Sequence, residues 1–176
     1  YILKSISLMS VVANDMSLNI RYFVKGQLSR RTIEVYNNLP FNLSFENDTV
    51  AFNLSKSFIV NIDSDSTFKI KDLKAESVRK GFFGQDFEMS FGNILLTPNV
   101  DFFERYKGVD ITVNISPMED LVASLSQEVS VEAADKFSSV INLGLQSNIQ
   151  SRAISILDLL VDKYNEDAID DKNQIS

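Results

Sequence analysis

The stretch DITVNISPMEDLVASLS, residues 110–126, carries the choice between fold classes. Ile111, Val113 and Ile115 alternate with Thr112, Asn114 and Ser116, the period-2 beat of a strand with one face turned inward. Pro117 stops that beat and suits a helix start, where its missing N–H removes nothing. Met118 to Ser126 then reads as a short helix. A strand that hands over at once to a helix belongs to a chain mixing both element types.

Upstream, the strand beat recurs. Phe41, Leu43 and Phe45 alternate with Asn42, Ser44 and Glu46. Phe58, Val60 and Ile62 are followed by Asp63-Ser64-Asp65-Ser66 and then by Phe68 and Ile70, so 57–71 reads as a hairpin with a four-residue turn. Ile94 to Thr97 reads as a strand stopped by Pro98, and Phe91-Gly92-Asn93 as the turn before it. Two further strands fall at Leu18 to Val24, ending at Gly26, and at Arg31 to Tyr36. Lys80 to Gly84 (KGFFG) reads as a loop or bend. At the N-terminus Ile2, Ile6, Met9, Ala13 and Met16 form a helical stripe.

Downstream, Glu128 to Glu132 and Val140 to Leu145 read as strands. Ser147-Asn148-Ile149-Gln150 has the form of a capping box. Beyond it Ile149, Ala153, Ile156, Leu157, Leu160, Tyr164 and Ala168 make an apolar stripe on a long helix. The opposite face carries Asp158, Asp162, Lys163, Glu166, Asp170, Asp171 and Lys172. The expectation is a single α+β domain over residues 1–176. It has a mostly antiparallel or mixed sheet, with an N-terminal helix, a short helix and a long C-terminal helix packed on one face.

Composition narrows the chemistry. The 176 residues include 17 basic and 24 acidic side chains, for a net charge of −7, and no Cys, His or Trp. These absences exclude disulfides, thiolate nucleophiles, Cys- or His-ligated metals and a Ser-His-Asp triad. Net acidity argues against a nucleic-acid partner. No apolar run approaches the ~20 residues that span a bilayer. The opening residues lack the basic start of a signal peptide.

Few residues nominate themselves as a site. Asp63-Ser64-Asp65 begins like a calcium loop, but Phe68 stands at the sixth position and the twelfth-position Glu is missing, so a hairpin turn is the better reading. Glu119-Asp120 are adjacent and suit a helix macrodipole better than an acid/base pair. The sequons at Asn42, Asn47, Asn53 and Asn114 read as coincidence. Phe82-Phe83 and Phe102-Phe103 read as sheet core. Asp158, Asp162 and Glu166 repeat every fourth residue, which places them in one row as a candidate partner contact. No catalytic, cofactor or metal residue is expected.

The order of segments also resembles a family. Ile2-Leu3-Lys4-Ser5, Val11-Val12, Leu18-Asn19-Ile20, Tyr22, Gly26, Tyr36 and Pro40 match the periplasmic segment of chain-length determinant (Wzz-type) polysaccharide co-polymerases, especially those fused to bacterial tyrosine autokinases. Phe91 to Pro98 and Val113 to Pro117 resemble two middle blocks of that pattern. Ala153 to Asn165 with Asp167 to Ile175 resemble its helical end. The resemblance implies a membrane-proximal periplasmic base, on the periplasmic side of a bacterial inner membrane. It also implies a chain that stops inside the start of a long helix, with both ends cut and membrane helices in flanking segments. The implied role is non-catalytic: regulation of capsular or exopolysaccharide chain length, as a homo-oligomer working with a polymerase and export machinery. The implied parent carries a cytoplasmic tyrosine kinase domain. Two alternatives stand beside it: a soluble carboxylate-dependent glycan-active enzyme, and a secreted adhesin-like domain.

Overall fold

The computed structural model describes residues 2–25, 31–73, 77–135 and 140–174. A 3-10 turn (Ile2–Lys4) leads into α1 (Ile6–Asp15), followed by β1 (Ile20–Lys25), β2 (Thr32–Val35) and β3 (Phe41–Phe45). The short α2 (Asp48–Phe52) precedes β4 (Lys56–Ser64), β5 (Thr67–Asp72), β6 (Val78–Phe82), β7 (Asp86–Met89) and β8 (Gly92–Pro98). Next come α3 (Val100–Phe103), a 3-10 turn at Glu104–Tyr106, and β9 (Asp110–Ile115). Then follow α4 (Met118–Glu128), β10 (Val129–Ala133), β11 (Ile141–Leu145) and α5 (Gln150–Gln174). The fold is α+β, and every pairing between these strands is antiparallel. Gly26 and the side chains from Asp170 onward lie outside the described residues.

The elements form two compact units. One is Asn19–Pro117; the other joins the residues before Asn19 to those after Pro117. The sheet unit is built around β9, which pairs with β1 on one side and β4 on the other in a six-stranded sheet of order β2-β1-β9-β4-β5-β6. A second sheet has the order β3-β8-β7. Ile111, Val113 and Ile115 are buried, as their alternation requires, and share a core with Phe41, Phe58, Val60, Phe68, Ile94 and Leu96. Rings add directional packing: Phe68 meets Phe83 at 5.0 Å and Phe87 at 5.5 Å between centroids, and Phe83 meets Phe103 at 5.3 Å. The edge-to-face pairs, Phe68–Phe83 and Phe83–Phe103, each add about 0.5–1.5 kcal/mol beyond area burial. Phe82, by contrast, is 53% exposed.

Two readings of this unit change. Lys80 to Phe82 belong to β6 rather than to a bend, and Gly81 is buried in that strand. A Cβ there would lie 2.5 Å from the Phe68 ring and 2.7 Å from the Phe87 ring, so glycine answers aromatic crowding rather than a turn. The β4–β5 turn is also tighter than four residues. Ser64 pairs with Thr67, and the register slips between Ile62 and Ser64, leaving Asp63 as a bulge. The six-stranded sheet closes on its own ends: the Ser116 N–H donates to the Asn19 carbonyl at 3.0 Å. The buried Asn19 amide donates to the Ala51 carbonyl at 2.9 Å and to the Ser116 carbonyl at 3.4 Å.

The helical unit packs α1, α4 and α5 with the β10–β11 hairpin. Ser5 interrupts the N-terminal helix and caps α1, accepting from the Leu8 N–H at 3.2 Å. The buried face of α1 is Leu8, Met9, Val12 and Ala13. Ile2 and Ile6 are each 68% exposed, so the expected stripe is out of phase at its first two positions. The 3-10 turn and the break at Ser5 explain the slip at Ile2, since a 3-10 turn advances about 120° per residue where an α-helix advances about 100°. Ile6 lies within α1 itself, about 90° from the middle of the buried face. On α5 the stripe holds, with Ala153, Ile156 and Leu160 buried. Its start differs from a capping box. The Ser147 hydroxyl accepts from the Ile149 N–H at 3.1 Å, just ahead of the helix rather than inside its first turn.

Candidate functional site

The nominated acids lie where their spacing places them. Asp158, Asp162 and Glu166 are all on α5 and all exposed. They are not equivalent. Glu166 Oε2 lies 3.3 Å from Lys163 Nζ, which also reaches Asp15 Oδ2 at the end of α1, at 3.2 Å. The Asp15 hydrogen bond, then that of Glu166, raises the Lys163 pKa above the ordinary lysine value. Glu166 therefore serves an intramolecular pair that ties α5 to α1. Asp158 and Asp162 have no ion-pair partner among the described residues.

The Asp63 turn holds charge of a different kind. Asp63 Oδ1 lies 2.5 Å from Lys69 Nζ, and Oδ2 lies 3.0 Å from Lys80 Nζ. The Lys69 hydrogen bond, followed by that of Lys80, pulls the Asp63 pKa down to about 2. The bulge aims this carboxylate at β5 and β6, and two ammonium groups occupy the place a cation would take. Asp65 is spent similarly: Lys107 Nζ is 2.5 Å from Asp65 and 2.6 Å from Glu104. The turn reading of Asp63-Ser64-Asp65 is thus the better one. Among the described residues no three Asp or Glu side chains group to hold a metal ion.

A groove of about 500 Å³ lies at one end of the six-stranded sheet, lined by Ser55, Lys56, Ser57, Asp72, Leu73, Asn114 and Ile115. The Ser57 hydroxyl donates to Asn114 Oδ1 at 2.6 Å, which spends the two best-placed polar groups on each other. Sequence reasoning missed this groove, since it joins the β4–β5 pair to β9, which is distant in the chain. The other nominated residues stay separate from it. Glu119 and Asp120 are exposed in the first turn of α4. Asn47 caps α2 by accepting from the Thr49 N–H at 3.0 Å.

No helix among the described residues is long and apolar enough to cross a membrane. No family model matches the chain, and no curated protein matches it significantly. The features on hand are an acidic helix row on α5, lysines on β5 and β6, and a polar groove.

Proposed function

We propose that this chain is a non-catalytic scaffold, the periplasmic base of a bacterial inner-membrane polysaccharide co-polymerase that regulates capsular or exopolysaccharide chain length. Its parent is a tyrosine autokinase of the kind the sequence resembles. One observation carries the reading beyond that resemblance. α5 runs from Gln150 to Gln174, about 37 Å at 1.5 Å per residue, but among its described side chains the last fully buried one is Leu160. Among the described side chains past Lys163, which run to Ile169, those of Tyr164 and Ala168 are half-buried and the rest exposed. A helix that outruns its own core suits a base from which a longer helix projects. Asp158 and Asp162 then face a neighbour or the export machinery.

The test uses the intact reading frame in its own bacterium. Removing these residues in frame is expected to leave polysaccharide synthesis running but to change the length distribution seen on a gel. An unchanged distribution would overturn the reading. So would release of reducing ends when the isolated chain is incubated with capsular polysaccharide, which the carboxylate-enzyme alternative expects.

A further inference from the structure

Charge is divided unevenly along this chain. Residues 19–117 hold 12 of the basic and 12 of the acidic side chains, so the entire −7 falls on the helical unit. On α5 this acidity borders an apolar ridge that the core does not use. Ile154 is 51% exposed, Val161 38% and Ile169 59%. At about 100° per residue the three fall within an arc of about 80°; Asp158 lies inside that arc and Asp162 about 20° past its edge.

The sheet unit offers the complementary face. Phe68, Ile70 and Gly81 point into the core, so strand alternation turns Lys69, Lys71, Val78, Lys80 and Phe82 outward. Register sets them side by side, Lys69 opposite Lys80 and Lys71 opposite Val78. Val78 is 58% exposed. Asp63 answers part of the lysine charge and leaves the patch net positive.

We infer that the α5 ridge of one copy docks on the β5–β6 face of a second copy of this chain. Ile154 and Val161 meet Val78 and Phe82, while Asp158 and Asp162 meet Lys71 and Lys80. Two different surfaces are used, so the contact is heterologous and repeats into a ring or an open row. Its biological purpose rests on the scaffold reading above; the contact itself is tested independently of it.

The absence of cysteine makes the test clean. Two single variants, Val161→Cys and Phe82→Cys, are mixed and treated with a short bismaleimide. The expected product is the mixed dimer, well above its statistical share. Placing Lys71→Glu and Lys80→Glu in the Phe82→Cys chain is expected to lower its yield about tenfold, since like charges across an interface are strongly unfavourable. Adding Asp158→Lys and Asp162→Lys to the Val161→Cys chain is expected to restore it, which a merely misfolded variant would not allow. No cross-link, a statistical mixture, or a mixed dimer indifferent to these reversals would overturn the inference. Polysaccharide length is a separate readout. A normal length distribution with a charge-dependent cross-link removes the scaffold reading and leaves the contact standing; the opposite pair of results does the reverse.

Discussion

Gly81 keeps its place in β6 because no larger residue fits between the Phe68 and Phe87 rings. Gly81→Ala is expected to cost about 1–3 kcal/mol, the usual range for overpacking a filled core, read as a lower urea midpoint with an unchanged slope. A neutral result would mean that the rings step aside. Asp63 makes a pH-dependent case. Its carboxyl is held at about 2, below the ordinary 3.8, chiefly by Lys69 and then by Lys80. A lowered folded-state pKa adds stability above the ordinary value, and that stability is lost as pH falls through the folded one. Asp63→Asn is therefore expected to be less stable than the native chain near neutral pH, with the gap closing between 3.8 and about 2. A gap that stays constant across that window would show that the lysines act by packing alone. Neither role was legible in the sequence. KGFFG shows glycines but not the rings that crowd one of them, and DSDS shows a turn but not the lysines that β5 and β6 bring to it.

Helices and strands are legible in the sequence where one periodicity runs without interruption. Phe41–Phe45 and Asp110–Ile115 fall where alternation places them, because each turns one side into a shared core. At the N-terminus Ser5 breaks the helical stripe after Ile2, and a hydroxyl cap leaves little mark in an apolar pattern. α2 and β7 are five and four residues long, too short for periodicity to register. On α5 the core stripe was legible and its exposed ridge was not, since Ile154 and Val161 differ from core residues only in angle. That difference can be measured. Leu160 is fully buried, and Leu160→Ala is expected to cost about 2–5 kcal/mol in urea unfolding. Ile154→Ala, at a half-exposed site on the same helix, is expected to stay within about 0.5 kcal/mol in the isolated chain at low concentration. Equal losses at both positions would place Ile154 in the core and remove the ridge.

Across the whole chain, the two units are joined in an order that hydrophobic periodicity does not reveal. The path leaves the helical unit after Leu18, completes both sheets, and returns at Met118. Neither crossing carries the Gly- or Ser-rich composition of a linker, so the sequence reads as one continuous stretch. The structure makes such an insertion feasible because the sheet unit's two ends are adjacent. Ile20 pairs with Ile115, and the backbone hydrogen bond from Ser116 to Asn19 lies just beyond that pair. A unit with its own core and neighbouring termini meets the usual conditions for folding when excised. Residues 19–117 expressed alone are thus expected to give an antiparallel β circular dichroism spectrum and one cooperative urea transition. Asn19→Ala in that fragment is expected to cost about 1–3 kcal/mol, because it leaves the part-buried carbonyls of Ala51 and Ser116 without that amide donor. A fragment without a cooperative transition would mean that the sheets draw their stability from the helical residues, and that the chain folds as a single unit despite its two cores.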